Sequence, residues 1–191
     1  MAITHVNRQG QTYYLHVGVT RTGKPQFYFS KSPEGTLADH LPEEFEIHTL
    51  PSGQVTVRRA RPRIITDEEL QVVERELAQA ATGLRGYVER DGKILTVYAA
   101  DVGGDMRELL QRFTPFATRE SLEDIVSYSS RYEPVFRFVL SDAKKRRYQA
   151  QRYCFRGSID DWIAIGVAGS LEDLARFFLR HIGKDSYYDL I

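Results

Sequence analysis

Tyr13-Tyr14-Leu15-His16-Val17-Gly18-Val19-Thr20, Arg21-Thr22-Gly23-Lys24-Pro25 and Gln26-Phe27-Tyr28-Phe29-Ser30 form the continuous stretch on which the fold class turns. The first segment is rich in aromatic and β-branched residues, the middle one holds the turn formers glycine and proline, and the last returns to aromatic strand formers. Together they read as a β-hairpin. Side chains alternate along a strand, so Tyr13, Leu15, Val17 and Val19 share one face and Tyr14 and His16 the other. Pairing Thr20 with Pro25 puts Phe27 and Phe29 beside Tyr14 and His16. If that side is left open, these four rings flanked by Arg21 and Lys24 make a platform of the kind that stacks bases. The alternative is a hairpin covered on both faces.

The same pattern continues outward. Phe45–His48 and Gln54–Arg58 flank Pro51, Ser52 and Gly53 and predict a second hairpin. Thr66-Asp67-Glu68-Glu69 is a helix-capping box, followed by an apolar face of Leu70, Val73, Leu77 and Ala80 and a stop at Gly83. Asp91-Gly92 suits a type I′ turn, which aligns Val88 with Leu95 and Val97. Two shorter helices are expected at Asp105–Phe113 and Ser121–Tyr128, kept apart by Pro115. Val135–Leu140 and Arg146–Phe155 predict a long β ribbon turning at Ser141–Lys145, and Trp162–Val167 a further strand. Ser170 caps a last helix with a buried stripe of Leu171, Leu174, Phe178 and Ile182, ended by Gly183. Hairpins interrupted by helices, without strand-helix-strand periodicity, point to an α+β fold: an antiparallel sheet with about four interspersed or flanking helices. Pro62 in the Arg58–Arg63 stretch suggests an N-terminal hairpin subdomain over 1–63 and an α+β subdomain over 64–191, packed as one unit.

Composition narrows the class. At 191 residues, 42% hydrophobic and 27% charged, the chain has ordinary globular proportions. The single cysteine, Cys154, precludes an intramolecular disulfide and any zinc site needing two thiolates from one chain, and its place on an apolar strand face suits packing rather than nucleophilic work. No signal-peptide pattern or spanning apolar run is present, so a cytoplasmic protein with no membrane partner is expected. Basic and acidic residues balance at 26 each but are segregated. Met1–Pro33 carries Arg8, Arg21, Lys24 and Lys31 without an acid, Glu34–Leu50 carries five acids without a lysine or arginine, and Arg131–Arg156 holds eight basic residues against Glu133 and Asp142.

That last segment is the best sequence candidate for binding. Pairing Leu140 with Arg146 puts Phe136, Phe138, Tyr148 and Ala150 on one face and Arg137, Arg147, Gln149 and Gln151 on the other, with Lys144, Lys145 and Arg146 at the turn. Guanidinium and carboxamide groups on a twisted ribbon suit phosphates and base edges; the plainer reading is a solvated outer face. Arg58, Arg59, Arg61 and Arg63 are a second basic cluster open to the same two readings.

Catalytic signals are sparse. Asp160 and Asp161, near Arg156 in the loop expected before Trp162, could hold a divalent metal if both carboxylates converge. Asp91 and Lys93 match a nuclease-like spacing but are explained by the turn they flank. Leu15-His16-Val17-Gly18 and Phe27–Ser30 resemble the strand histidine and later aromatic strand of ADP-ribosyltransferases. Those enzymes insert a helix between the two strands where this chain has only a short turn, so no family is assigned. The expectation is a non-enzymatic binding module or complex subunit, with no cofactor, that engages nucleic acid or an acidic protein partner through a basic and aromatic β surface. A metal-dependent enzyme acting on nucleotides or phosphodiesters and a protein-assembly subunit are the alternatives.

Overall fold

In a computed structural model of the chain, the described residues are 2–80, 85–100, 132–156 and 159–191. They fall into two compact units, one on the N-terminal side of Ala60 and one beginning at Arg61. No helix among them is long and apolar enough to cross a membrane.

The N-terminal unit holds a three-stranded antiparallel sheet of β1 (Thr4–Val6), β2 (Thr12–Val19) and β3 (Pro25–Ser30), with β2 central. Before the start of β1 the chain at 36–38 takes over its line along β2, through bonds from Ala38 N to Leu15 O and from Val17 N to Thr36 O. A second hairpin pairs β4 (Phe45–Thr49) with β5 (Val55–Arg59). Asn7 ties the two hairpins together. Its carboxamide donates to Gly53 O at 2.7 Å and to Gln11 Oε1 at 3.1 Å, and accepts from the amides of Gln9 and Gln11 at 3.0 and 2.8 Å.

The first hairpin corrects the expected register. Val19 pairs with Pro25, and Thr20 N bonds to Lys24 O, so the loop is the odd three-residue type, with Gly23 at φ +79° supplying the left-handed residue. The one-residue shift inverts the faces of the second strand. Phe27 sits opposite Val17 and Phe29 opposite Leu15, on the face where Leu15 and Tyr13 are buried.

The second unit is an antiparallel meander of β6 (Gly86–Asp91), β7 (Ile94–Ala100), β8 (Tyr132–Asp142), β9 (Arg147–Arg156) and β10 (Ile159–Gly169), in the spatial order β10-β9-β8-β7-β6. One sheet face is covered by α1 (Asp67–Ala80) and α2 (Leu171–Leu179), and the core lies between. The alternation expected from the sequence places that core: Val88, Leu95, Val97, Phe136, Phe138, Leu140, Tyr148 and Ala150 are all buried on the helix side. Leu171, Leu174, Phe178 and Ile182 meet them as the stripe predicted from Ser170 onward. Ser170 Oγ accepts from Asp173 N at 3.2 Å, as an N-cap should.

The class is therefore α+β with antiparallel sheets, but about four helices is not what the described residues contain. They hold two α-helices and a 3-10 turn at Asp185–Tyr187, and the helices expected at 105–113 and 121–128 lie outside them. The third hairpin also turns one residue later than predicted. Asp91 pairs with Ile94, and of the central pair Gly92 and Lys93 only Gly92 has positive φ, at +57°, the pattern of a type II′ rather than a type I′ turn.

Candidate interaction surface

The outer face of the five-stranded sheet, opposite the helices, carries the ribbon residues singled out from the sequence. Leu140 pairs with Tyr148 rather than Arg146, a two-residue shift that leaves the faces as predicted because side-chain alternation has period two. Thr96, Arg137, Gln151 and Ala164 form one cross-strand row on β7 to β10, and Tyr153 stands beside Trp162 in the next.

Most of these polar groups are committed within the protein. In β10 the register to β9 breaks between Ile165 and Gly169, where Gly166 takes φ +61°. A bulge leaves strand carbonyls without their ladder partners. Side chains of β9 supply the missing donors: Gln149 Nε2 reaches Ile165 O at 3.0 Å and Gly166 O at 3.3 Å, and Arg147 Nη2 donates to Ala168 O. Arg137 Nε donates to Gln151 Oε1, and its guanidinium carbon lies 4.6 Å from the Trp162 ring centroid. Tyr153 meets Trp162 edge-on, with centroids 5.1 Å apart and planes at 80°. Arg137, Gln149, Gln151, Tyr153 and Trp162 are all partly exposed. Burial pulls the Arg137 pKa below its ordinary value while Asp161 opposes the shift.

Arg146 leaves the ribbon surface altogether. At φ +48° it turns toward the helix side, where Nε donates to Glu69 Oε1 at 2.8 Å, Nη2 to Glu69 Oε2 and to Tyr148 Oη at 3.2 Å, and both Nη atoms to Ile64 O at 3.4 Å. Glu69 also closes the predicted capping box with Thr66. Burial pushes the Glu69 carboxyl up, but the Arg146 guanidinium, the Thr66 amide and the Tyr148 hydroxyl outweigh it and hold the carboxyl below 4.5. Burial first, then Glu69, pushes the Tyr148 phenol above its ordinary value. Lys144 and Lys145 remain exposed at the turn, with their backbone amides held by Asp142.

The aromatic platform of the first hairpin does not assemble. His16 is 2% exposed, lies parallel to the Tyr28 ring at 5.2 Å, and bonds through Nε2 to Ser32 O at 3.0 Å, so the loop after β3 covers it. A carbonyl only accepts, so that nitrogen carries the proton. Tyr14 is half-buried on the His16 side, whereas Phe27 and Phe29 face the other way, Phe27 toward Phe45 at 6.0 Å and Phe29 toward His5 at 6.3 Å. Arg21 and Lys24 are exposed at the tip, while Tyr14 pairs with Ser30 at the opposite end of the hairpin.

Asp160 and Asp161 lie on strand β10 rather than in a loop. Consecutive strand residues leave on opposite sides, and the carboxylates have different partners: Asp160 accepts from the Tyr153 hydroxyl, Asp161 from the Trp162 amide at 2.7 Å. Asp160 raises the Tyr153 pKa through that bond. No group of three or more His, Cys, Asp or Glu side chains suited to a metal occurs among the described residues. Arg156 is the last residue of β9.

A cleft of about 330 Å³ lies between the ends of β7 and β8 and the Ile182–Tyr188 segment, lined by Glu133, Lys184, Asp185 and Tyr187 among others, and none of the predicted site residues lines it. Near it, His181 Nδ1 and Ser186 Oγ are 2.8 Å apart, but Arg180 Nε donates to His181 Nε2 at 3.3 Å. Nδ1 therefore holds the proton and donates to the serine, the reverse of what activates a nucleophile.

Two buried charges were not singled out from the sequence. Arg152, 8% exposed on the helix side of β9, donates to Leu190 O at 2.7 Å and Tyr188 O at 3.3 Å, fastening the C-terminal segment. Its signal was a lone arginine in the Tyr148, Ala150, Cys154 stripe. Glu76, 7% exposed within the apolar face of α1, lies 3.6 Å from Arg75 and 3.9 Å from Arg176, which stands on α2.

No family model, curated protein or solved structure matches the chain.

Proposed function

We propose that the chain is a non-enzymatic interaction subunit whose outer sheet face docks a protein partner. The observation that carries this reading is the Trp162 ring held between the Arg137 guanidinium and Tyr153 on a partly exposed surface. Tryptophan, tyrosine and arginine dominate binding energy at protein interfaces, most of all where neighbouring contacts already fix their rotamers. The charge of the patch favours protein over nucleic acid. The charge of Asp161 acts on Arg137, and exposed Asp160 accepts from Tyr153 within the patch, so the arginines of β8 and β9 are offset by acids of β10, whereas a phosphate backbone selects an uncompensated basic track.

Nucleic acid is the second reading, kept by exposed Lys144 and Lys145 and by the suitability of Trp162 and Tyr153 for stacking. One experiment separates the two. A photo-crosslinking residue at Gln151, used in cells, is expected to give a discrete protein adduct that Trp162→Ala abolishes and that the same group at exposed Glu68 on α1 does not give. Loss of the adduct on nuclease treatment would move the assignment to the second reading. The same crosslinks from both positions, or none from Gln151, would remove the face as a binding surface.

A further inference from the structure

The two outer strands of the five-stranded sheet are finished differently. On β6, Glu89, Arg90 and Asp91 put charge along the strand, and the chain at 61–67 is fastened there: Arg90 donates to Ile65 O at 3.0 Å and Asp67 Oδ1 at 2.7 Å, and Asp91 accepts from Arg61. On β10, the run Trp162-Ile163-Ala164-Ile165-Gly166-Val167 has no charge and no proline. Ala164 is exposed and Val167 is 84% exposed. No strand lies beyond β10 among the described residues. The bulge at Gly166, whose N–H donates to Ile191 O at 3.4 Å, ends the regular edge at Ile165 and leaves the stretch before it open; protein edges left open and uncharged join other strands unless something blocks them.

We propose that β10 pairs antiparallel with β10 of a second copy of this chain, joining two five-stranded sheets across a two-fold axis near Ala164. The charge pattern selects a second copy. β10 is acidic at its start, with Asp160 and Asp161, while Arg147 is held against its far end at Ala168 O. An antiparallel two-fold sets the acidic start of each strand beside the arginine-bearing end of its mate, twice per dimer. A parallel pairing, or an antiparallel one centred near Asp160, brings the carboxylates together and is disfavoured. This surface is an edge, distinct from the face proposed for the protein partner, and stands independently of it.

The test is multi-angle light scattering across a concentration series. The wild type is expected to reach twice the 22.0 kDa chain mass, with dissociation promoted by salt. Near the axis Ala164 faces its own copy, so Ala164→Lys sets two ammonium groups against each other and should raise the dimer dissociation constant about 100-fold. Ala164→Ser should leave it unchanged. An unaltered circular dichroism spectrum shows that Ala164→Lys folds; Val167→Lys is the substitute if it does not. A wild type that stays monomeric at every concentration, or a dimer indifferent to the lysine in a folded variant, would overturn the proposal.

Discussion

Truncating Asn7 to alanine should lower the unfolding free energy of the N-terminal unit by about 2–4 kcal/mol, a loss out of proportion to the volume removed. The side chain is 5% exposed, and all four hydrogen-bonding positions of its carboxamide are filled. Removing it strands the Gln9 and Gln11 amides and Gly53 O, and Gly53 is itself buried. Asn7→Asp separates shape from chemistry: it keeps the acceptor for the two amides but replaces a donor with a second acceptor facing Gly53 O, so it should also destabilise. Hydrogen exchange read peptide by peptide should show the loss of protection in the β1–β2 turn and in the β4–β5 turn together. Loss confined to the first turn would mean that the carboxamide does not join the hairpins.

Glu69→Ala should cost the second unit about 1–2 kcal/mol, because one carboxylate both closes the helix cap and neutralises the partly solvent-screened Arg146. The alanine leaves the Arg146 guanidinium against Ile64 O and Tyr148 Oη without its counter-charge. Glu69→Gln keeps hydrogen-bonding capacity without the charge and should cost less. The pH dependence has a definite sign. The folded-state pKa of Glu69 lies below its ordinary value of 4.5, so its contribution is full above about pH 4.5 and is lost as pH falls through the folded value. Wild type and Glu69→Gln should therefore converge in stability in acid and diverge above pH 5. Denaturant titrations at pH 3 and pH 7 read this directly; a constant gap between them would rule out the ionised pair.

How much of this could be read in the sequence depended on parity. The sequence pairs the ribbon two residues out of register, yet its faces agree with the structure, because an even shift returns every side chain to its own side. The first hairpin was one residue out, and its aromatic platform disappeared, since a three-residue loop closed by Gly23 replaced the assumed four-residue one. Apolar periodicity was enough to locate the core of α1, α2 and the five-stranded sheet, because burial of a stripe needs no knowledge of the partner.

The site was less legible because its polar residues answer to a distant irregularity. Arg147 and Gln149 look like ligand readers until the β10 bulge is seen to leave carbonyls at Ile165, Gly166 and Ala168 for them. The one local sign was a glycine inside an apolar strand run, Gly166, a common mark of a bulge. Arg146 was lost to the surface for a similar reason: a positive φ at the turn and an acid 77 residues away decide its direction. Arg137 kept its predicted face and acquired Trp162 as a partner from another strand.

The decisive measurement is therefore on Gln149, whose amide either holds β10 or reads a ligand. Gln149→Ala should lower the unfolding free energy by about 1–2 kcal/mol through the orphaned bulge carbonyls, while affinity for single-stranded RNA and DNA homopolymers, followed by anisotropy and by the fluorescence of the single tryptophan, stays as weak as that of the wild type at every salt concentration. Unchanged stability together with the loss of a salt-dependent polynucleotide affinity would contradict this, and would place the ribbon's polar face in contact with nucleic acid instead of with its own edge strand.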